Sequence, residues 1–155
     1  MGCGKSVVGV LVAQRTGAKF YDLDVVIENE VGMSISEFFA SFGEEEFRKH
    51  ESRLLPGILQ PGVVVALGGG APTYGDNWRT IHERAVTVFL DCPFDVIWTR
   101  THGTTNRPLL AGRTREQIEE LYNERLPIYG QAVHRVVADR PLDEIAEEIA
   151  QLWSD

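Results

Sequence analysis

Gly2-Cys3-Gly4-Lys5-Ser6, at the head of the chain, constrains the fold more than any other stretch of its 155 residues. It matches the back end of the pattern GxxxxGK[ST], whose glycines let backbone N–H groups close around phosphate oxygens. Loops of this kind sit between a β-strand and a helix whose N-terminus faces the anion. The helix is legible: Val7, Val8, Val10, Leu11 and Val12 crowd an amphipathic stretch that stops at Gly17. The strand is not, because the loop's first glycine and the segment that feeds it would lie ahead of Met1. The expectation is a phosphate-loop fold that lacks its first strand.

Downstream, strand and helix patterns alternate. A short strand over 18–21 delivers Asp22 and Asp24 at its carboxyl end. Ser34 with Glu37 forms a capping box for a helix through Phe38, Phe39 and Phe42, and a longer helix follows over 44–59, interrupted late by Pro56 and Gly57. The runs at 63–67 and 86–90 are continuous and β-rich, as in parallel strands covered on both faces. Helices are expected over 76–84, 94–100 and 114–129, the last with a Thr114–Gln117 capping box, then a strand over 135–138 and a helix over 142–153. This order implies an α/β, three-layer, phosphate-loop-type parallel sheet with helices on both faces and ligands at the carboxyl ends of the strands. Residues 101–113, polar at first and bounded by glycines, read as a mobile lid. No repeat or linker divides the chain, so one domain over 1–155 is expected.

Bulk composition narrows the partners. A formal net charge of -8 argues against a nucleic-acid surface, so any anion site must be local. The two cysteines, Cys3 and Cys92, have neither zinc nor disulfide spacing, and no apolar run approaches the roughly 20 residues of a membrane span. A cytoplasmic protein, without membrane or nucleic-acid partners and monomeric, is the expectation.

Lys5 is the first candidate for chemistry, since a lysine at the end of the loop reaches the β- and γ-phosphates while the Ser6 hydroxyl meets Mg2+. Asp22 and Asp24 flank Leu23, and period-two geometry would put both carboxylates on one side of a strand; the plainer role for one of them is capping the next helix. Gly68-Gly69-Gly70 follows a strand and can offer backbone N–H groups to a ligand. Arg48 and Arg125 lie among apolar helix positions and suit bidentate carboxylate recognition, although spacing alone does not separate them from surface arginines. Arg100 can stack on a base, and Arg107 in the lid can meet a transferred phosphoryl group. The four histidines show no metal-type spacing.

Taken together, GCGKS, DLDVVIE, GEEEFRKHE, LGGGA, NRPLLAG and ERLPIY, in this order and at these separations, resemble the shikimate kinase family over nearly the whole chain. The resemblance implies transfer of the ATP γ-phosphoryl group to the 3-hydroxyl of shikimate, on the route to chorismate and aromatic amino acids, with Mg2+ as cofactor. It implies a nucleotide site of Gly2, Cys3, Gly4, Lys5, Ser6, Val7, Arg100, Arg107 and Arg140. Lys5, Asp24 and Arg107 would be catalytic. The metal would be held by Ser6 and, through water, Asp22. Shikimate would be bound by Asp24, Arg48, Gly68, Gly69, Gly70 and Arg125. Val7 departs from the family's usual Thr or Ser after the loop, which implies weaker nucleotide binding.

Overall fold

At Gly4 (φ 76°, ψ 23°) the chain turns into helix α1 (Lys5–Thr16) through a left-handed conformation that only glycine adopts without penalty. The structure, a computed structural model, describes residues 2–102 and 110–154. Strand β1 (Lys19–Asp22) follows, and Asp22 then caps helix α2 (Leu23–Val31) by accepting the Asp24 backbone N–H at 3.1 Å. The Ser34–Glu37 capping box opens helix α3 as the sequence suggests. Two helices were expected between 34 and 59, and α3 (Ile35–Ile58) is two helical segments meeting at a kink where Gly43 (φ 80°, ψ 173°) leaves helical geometry. Pro56 does not break it, because only the final turn lies beyond and Leu59 N–H still reaches the Leu55 carbonyl at 3.1 Å.

Strand β2 (Val63–Ala66) leads through the glycine turn into a short 3-10 stretch (Ala71–Thr73) and helix α4 (Asn77–Arg84). Strand β3 (Val88–Asp91) starts two residues later than its apolar run predicts, leaving Val86 68% exposed. Thr87 anchors that start from outside the ladder: its hydroxyl oxygen accepts Val133 N–H and its carbonyl accepts His134 N–H, both at 3.0 Å. Helix α5 (Phe94–Thr101), helix α6 (Arg115–Tyr129) with its Thr114–Gln117 box, strand β4 (His134–Val137) and helix α7 (Leu142–Gln151) complete the alternation.

Both ladders are parallel. β1 pairs with β2, setting Asp22 beside Ala66, and β3 pairs with β4, setting Asp91 beside Val137. The α/β architecture with parallel strands is as expected, and among the described residues the strands pair as two ladders with no hydrogen bond between them. With one bonded neighbour each, Val63, Val64 and Val65 are half-buried rather than covered on both faces.

Two apolar clusters flank the strands. Val8 and Val12 of α1, Leu90, Ile97, Ile118, Val136 and Ile145 form one; Leu23, Ile27, Phe38, Phe47, Leu55 and Ile81 form the other. Leu23, Ile27, Leu55 and Ile145 are 0% exposed, and full burial of such a side chain is worth about 1.5–3 kcal/mol. Val64 of β2 packs on the first cluster and Val65 on the second, so alternate residues of one strand join the layers. Among the described residues no helix is long and apolar enough to cross a membrane.

Candidate active site

Three elements end at one edge of the fold: the loop before α1, the carboxyl end of β1 and the carboxyl end of β2. In the loop, Gly2 and Gly4 both take positive φ, Cys3 is buried, and among the described residues no side chain caps the start of α1. The first N–H groups of that helix are therefore available to an anion, with the positive end of the helix dipole behind them. Lys5 and Ser6 occupy the first turn, and Val7 is 53% exposed beside them.

The Ser6 hydroxyl donates to the Asp22 carboxylate, which joins the loop directly to the end of β1. Asp24 is nearby for a different reason from the one its spacing suggested. It lies in the first turn of α2, not in a strand, so period two does not apply; the cap made by Asp22 folds the chain back and brings the carboxylates together. Burial, with Asp22 beside it, pushes the Asp24 carboxyl above the usual carboxylate range, while Lys5 and Arg48 pull it down.

The glycine turn is where the remaining groups converge. A Cβ at Gly68 would lie 3.2 Å from Asp24 Oδ1 and 3.4 Å from Glu51 Oε1, and a Cβ at Gly70 would lie 2.1 Å from Arg48 Nη2. The Gly69 carbonyl accepts the Tyr129 hydroxyl at 2.5 Å. Each of the three glycines thus meets a different side chain, and at Gly70 the approach of Arg48 leaves no room for a Cβ.

Arg48 and Arg125, which sequence alone could not tell from solvated arginines, are 5% and 7% exposed. Arg48 donates to Glu51 Oε2 at 2.5 Å and to Glu44 Oε1 at 3.2 Å. Glu51 is 0% exposed, and its Oε1 is the buried side-chain atom without a hydrogen-bond partner among the described residues. Burial lifts the Glu51 carboxyl to about 7 against the opposing pull of Arg48 and Arg125. Arg125 lies against the Tyr129 hydroxyl.

Arg100 and Arg140 stand apart from this cluster. Arg100 is exposed, with Nη1 3.9 Å from the Cys92 sulfur; Arg140 donates to the Val137 carbonyl at 2.9 Å and pairs with Glu148. Arg107 and most of the expected lid fall on 103–109, outside the described residues. Glu51 and Tyr129 are the residues that sequence reasoning missed. Both were within reach of it, because Glu51 lies three positions after Arg48 and Tyr129 four after Arg125, on the same helical faces.

What this fold and site define is a phosphoryl-transfer enzyme of the phosphate-loop class. The family profile described as "Shikimate kinase" matches residues 1–153. The chain is 39% identical to "Shikimate kinase" of Rhizobium meliloti (strain 1021), over all of this chain and 82% of that protein. It is 42% identical to that of Rhizobium leguminosarum bv. trifolii (strain WSM2304), over 96% and 78%. Its structure matches "Shikimate kinase from Acinetobacter baumannii in complex with shikimate" at a TM-score of 0.93 and 33% identity, covering 98% of this chain and 87% of that one. The chain belongs to the shikimate kinase family.

Proposed function

We propose that this enzyme transfers the γ-phosphoryl group of ATP to the 3-hydroxyl of shikimate, yielding shikimate 3-phosphate and ADP. The observation that carries the reading is the pair of buried guanidiniums, Arg48 and Arg125, near the Gly68–Gly70 turn with Asp24 at its other end. In a chain of net charge -8, two buried cations suit a small anionic substrate. A carboxylate held by two arginine forks leaves the hydroxylated side of the ring to Asp24.

The loop and the start of α1 bind the ATP phosphates, with Lys5 neutralising charge on the outer two. Ser6 and Asp22 supply adjacent hard oxygen donors, with no cluster of three or more His, Cys, Asp or Glu among the described residues, which fits Mg2+ that would take phosphate and water to complete its shell. When bound, the ion neutralises charge on the β- and γ-phosphates. Asp24 orients the attacking hydroxyl and accepts its proton; burial and Asp22 strengthen it as a base, while Lys5 and Arg48 keep it ionised. The transition state of such transfers is loose, so most of the acceleration comes from alignment and charge neutralisation. Arg100 and Arg140 are assigned to the adenine side, where Arg140 must exchange its Glu148 partner for nucleotide. Neither cysteine is in a disulfide, which suits a reducing compartment such as the cytoplasm.

The test is ADP release by the purified chain with shikimate, compared with gluconate and with no acceptor. Release that depends on shikimate supports the assignment. Phosphorylation of gluconate with shikimate inert overturns it.

A further inference from the structure

Tyr129 ends α6, and its ring and hydroxyl serve different parts of the molecule. The ring packs on Phe89 of β3, with centroids 5.4 Å apart. The hydroxyl donates to the Gly69 carbonyl, in the turn after β2, at 2.5 Å. Among the described residues β2 and β3 share no hydrogen bond, and this side chain touches both the turn after β2 and a residue of β3. It also lies one helical turn beyond Arg125, whose guanidinium sits against the same hydroxyl.

The consequence runs through the Gly69–Gly70 peptide. That unit is planar and trans, so pinning the Gly69 carbonyl toward Tyr129 points the Gly70 N–H the opposite way. The Gly70 N–H has no acceptor among the described residues, and the Arg48 guanidinium lies against the Cα of the same residue. A glycine run has no side chains to fix its own peptide planes and leaves many orientations open. The Gly68 and Gly70 carbonyls are held by the Ala71 and Thr73 N–H groups, and the part-buried hydrogen bond from Tyr129 holds the remaining one, that of Gly69.

We propose that Tyr129 is a positioning residue for the acceptor substrate: its hydroxyl, shared between the Gly69 carbonyl and Arg125, fixes the glycine turn and the second arginine in one mutual arrangement. The role rests on the function proposed above. Burial pushes the Tyr129 phenol up while Arg125 pulls it down, so it remains a protonated donor at neutral pH.

Tyr129→Phe keeps the ring against Phe89 and removes only the hydroxyl. Steady-state kinetics of this variant and the wild type, varying shikimate and ATP separately, distinguish positioning from general structure. The expected result is a shikimate KM raised about tenfold, as loss of roughly one hydrogen bond predicts, with the ATP KM within about twofold of wild type. Calorimetric titration with ATP checks independently that the variant is folded. An unchanged shikimate KM, or a parallel loss of shikimate and ATP binding, overturns the proposal. Wild-type turnover of shikimate is the separate check on the underlying reading, and its absence overturns both.

Discussion

Gly70→Ala isolates the arginine grip from every other feature of the site. The backbone at Gly70 (φ -89°, ψ -22°) lies in a region open to any L-residue, so alanine brings no conformational penalty of its own. Its methyl group, however, would stand 2.1 Å from Arg48 Nη2, 2.4 Å from Cζ and 2.7 Å from Nη1, where ordinary contact begins at 3.4 Å. The guanidinium must retreat by roughly 1 Å or more, a distance that separates a made hydrogen bond from a lost one. Losing one charge-assisted hydrogen bond to the substrate carboxylate costs about 1.5–3 kcal/mol, or roughly a 10- to 150-fold increase in the shikimate KM. The phosphate loop is untouched, so the ATP KM is expected to stay within about twofold of wild type. Gly68→Ala serves as the graded comparison, because its methyl would meet Asp24 Oδ1 at 3.2 Å and Glu51 Oε1 at 3.4 Å, a far milder conflict. Steady-state kinetics with both substrates, alongside thermal unfolding to confirm the fold, decide the matter. A Gly70→Ala enzyme with a wild-type shikimate KM would show that Arg48 is not held where the substrate binds.

Arg125→Ala is expected to lose shikimate binding by a similar factor in calorimetric titration while binding ATP normally; parallel loss of both would assign Arg125 to the fold instead. Lys5→Ala should abolish turnover, and a variant that still releases ADP with shikimate present would remove the loop lysine from the mechanism. Glu51 sets a pH dependence of stability. Its carboxyl titrates near 4.5 when exposed and at about 7 in the fold, so the folded state holds the proton more tightly. Unfolding free energy should therefore fall as pH rises from about 4.5 to about 7 and level off above, by about 3 kcal/mol at most from this group. Urea titrations of Glu51→Gln should show a flatter profile over that window, and an equal slope in variant and wild type would refute the assignment.

The sequence was most legible where local chemistry fixes local structure. The Ser34–Glu37 and Thr114–Gln117 boxes mark helix starts because the side-chain contacts that cap a helix lie within three residues. Strand limits were less legible: an apolar run says that a segment is covered, whereas β3 begins where His134 becomes available as a partner, 46 residues after Val88. The break at Gly43 was legible, because a glycine between two helical patterns supplies the left-handed, non-helical turn that separates them. In the site, the loop and the capping role open to Asp22 followed from the pattern, but the strand placement of Asp24 and the burial of Arg48 and Arg125 did not. That burial depends on the glycine turn approaching both helices, a meeting between segments far apart in the chain. Glu51 and Tyr129 take their importance from the same meeting, which is why helical spacing placed them on the right faces without indicating what they face.

The most direct test of the account is the site of phosphorylation on shikimate incubated with the purified chain and ATP, read from phosphorus–proton coupling in the product. The account predicts stoichiometric ADP and a phosphoester at C3, the hydroxyl oriented by Asp24 while the two arginines hold the carboxylate. A product phosphorylated at another hydroxyl, or ADP released at the same rate with and without shikimate, would contradict it.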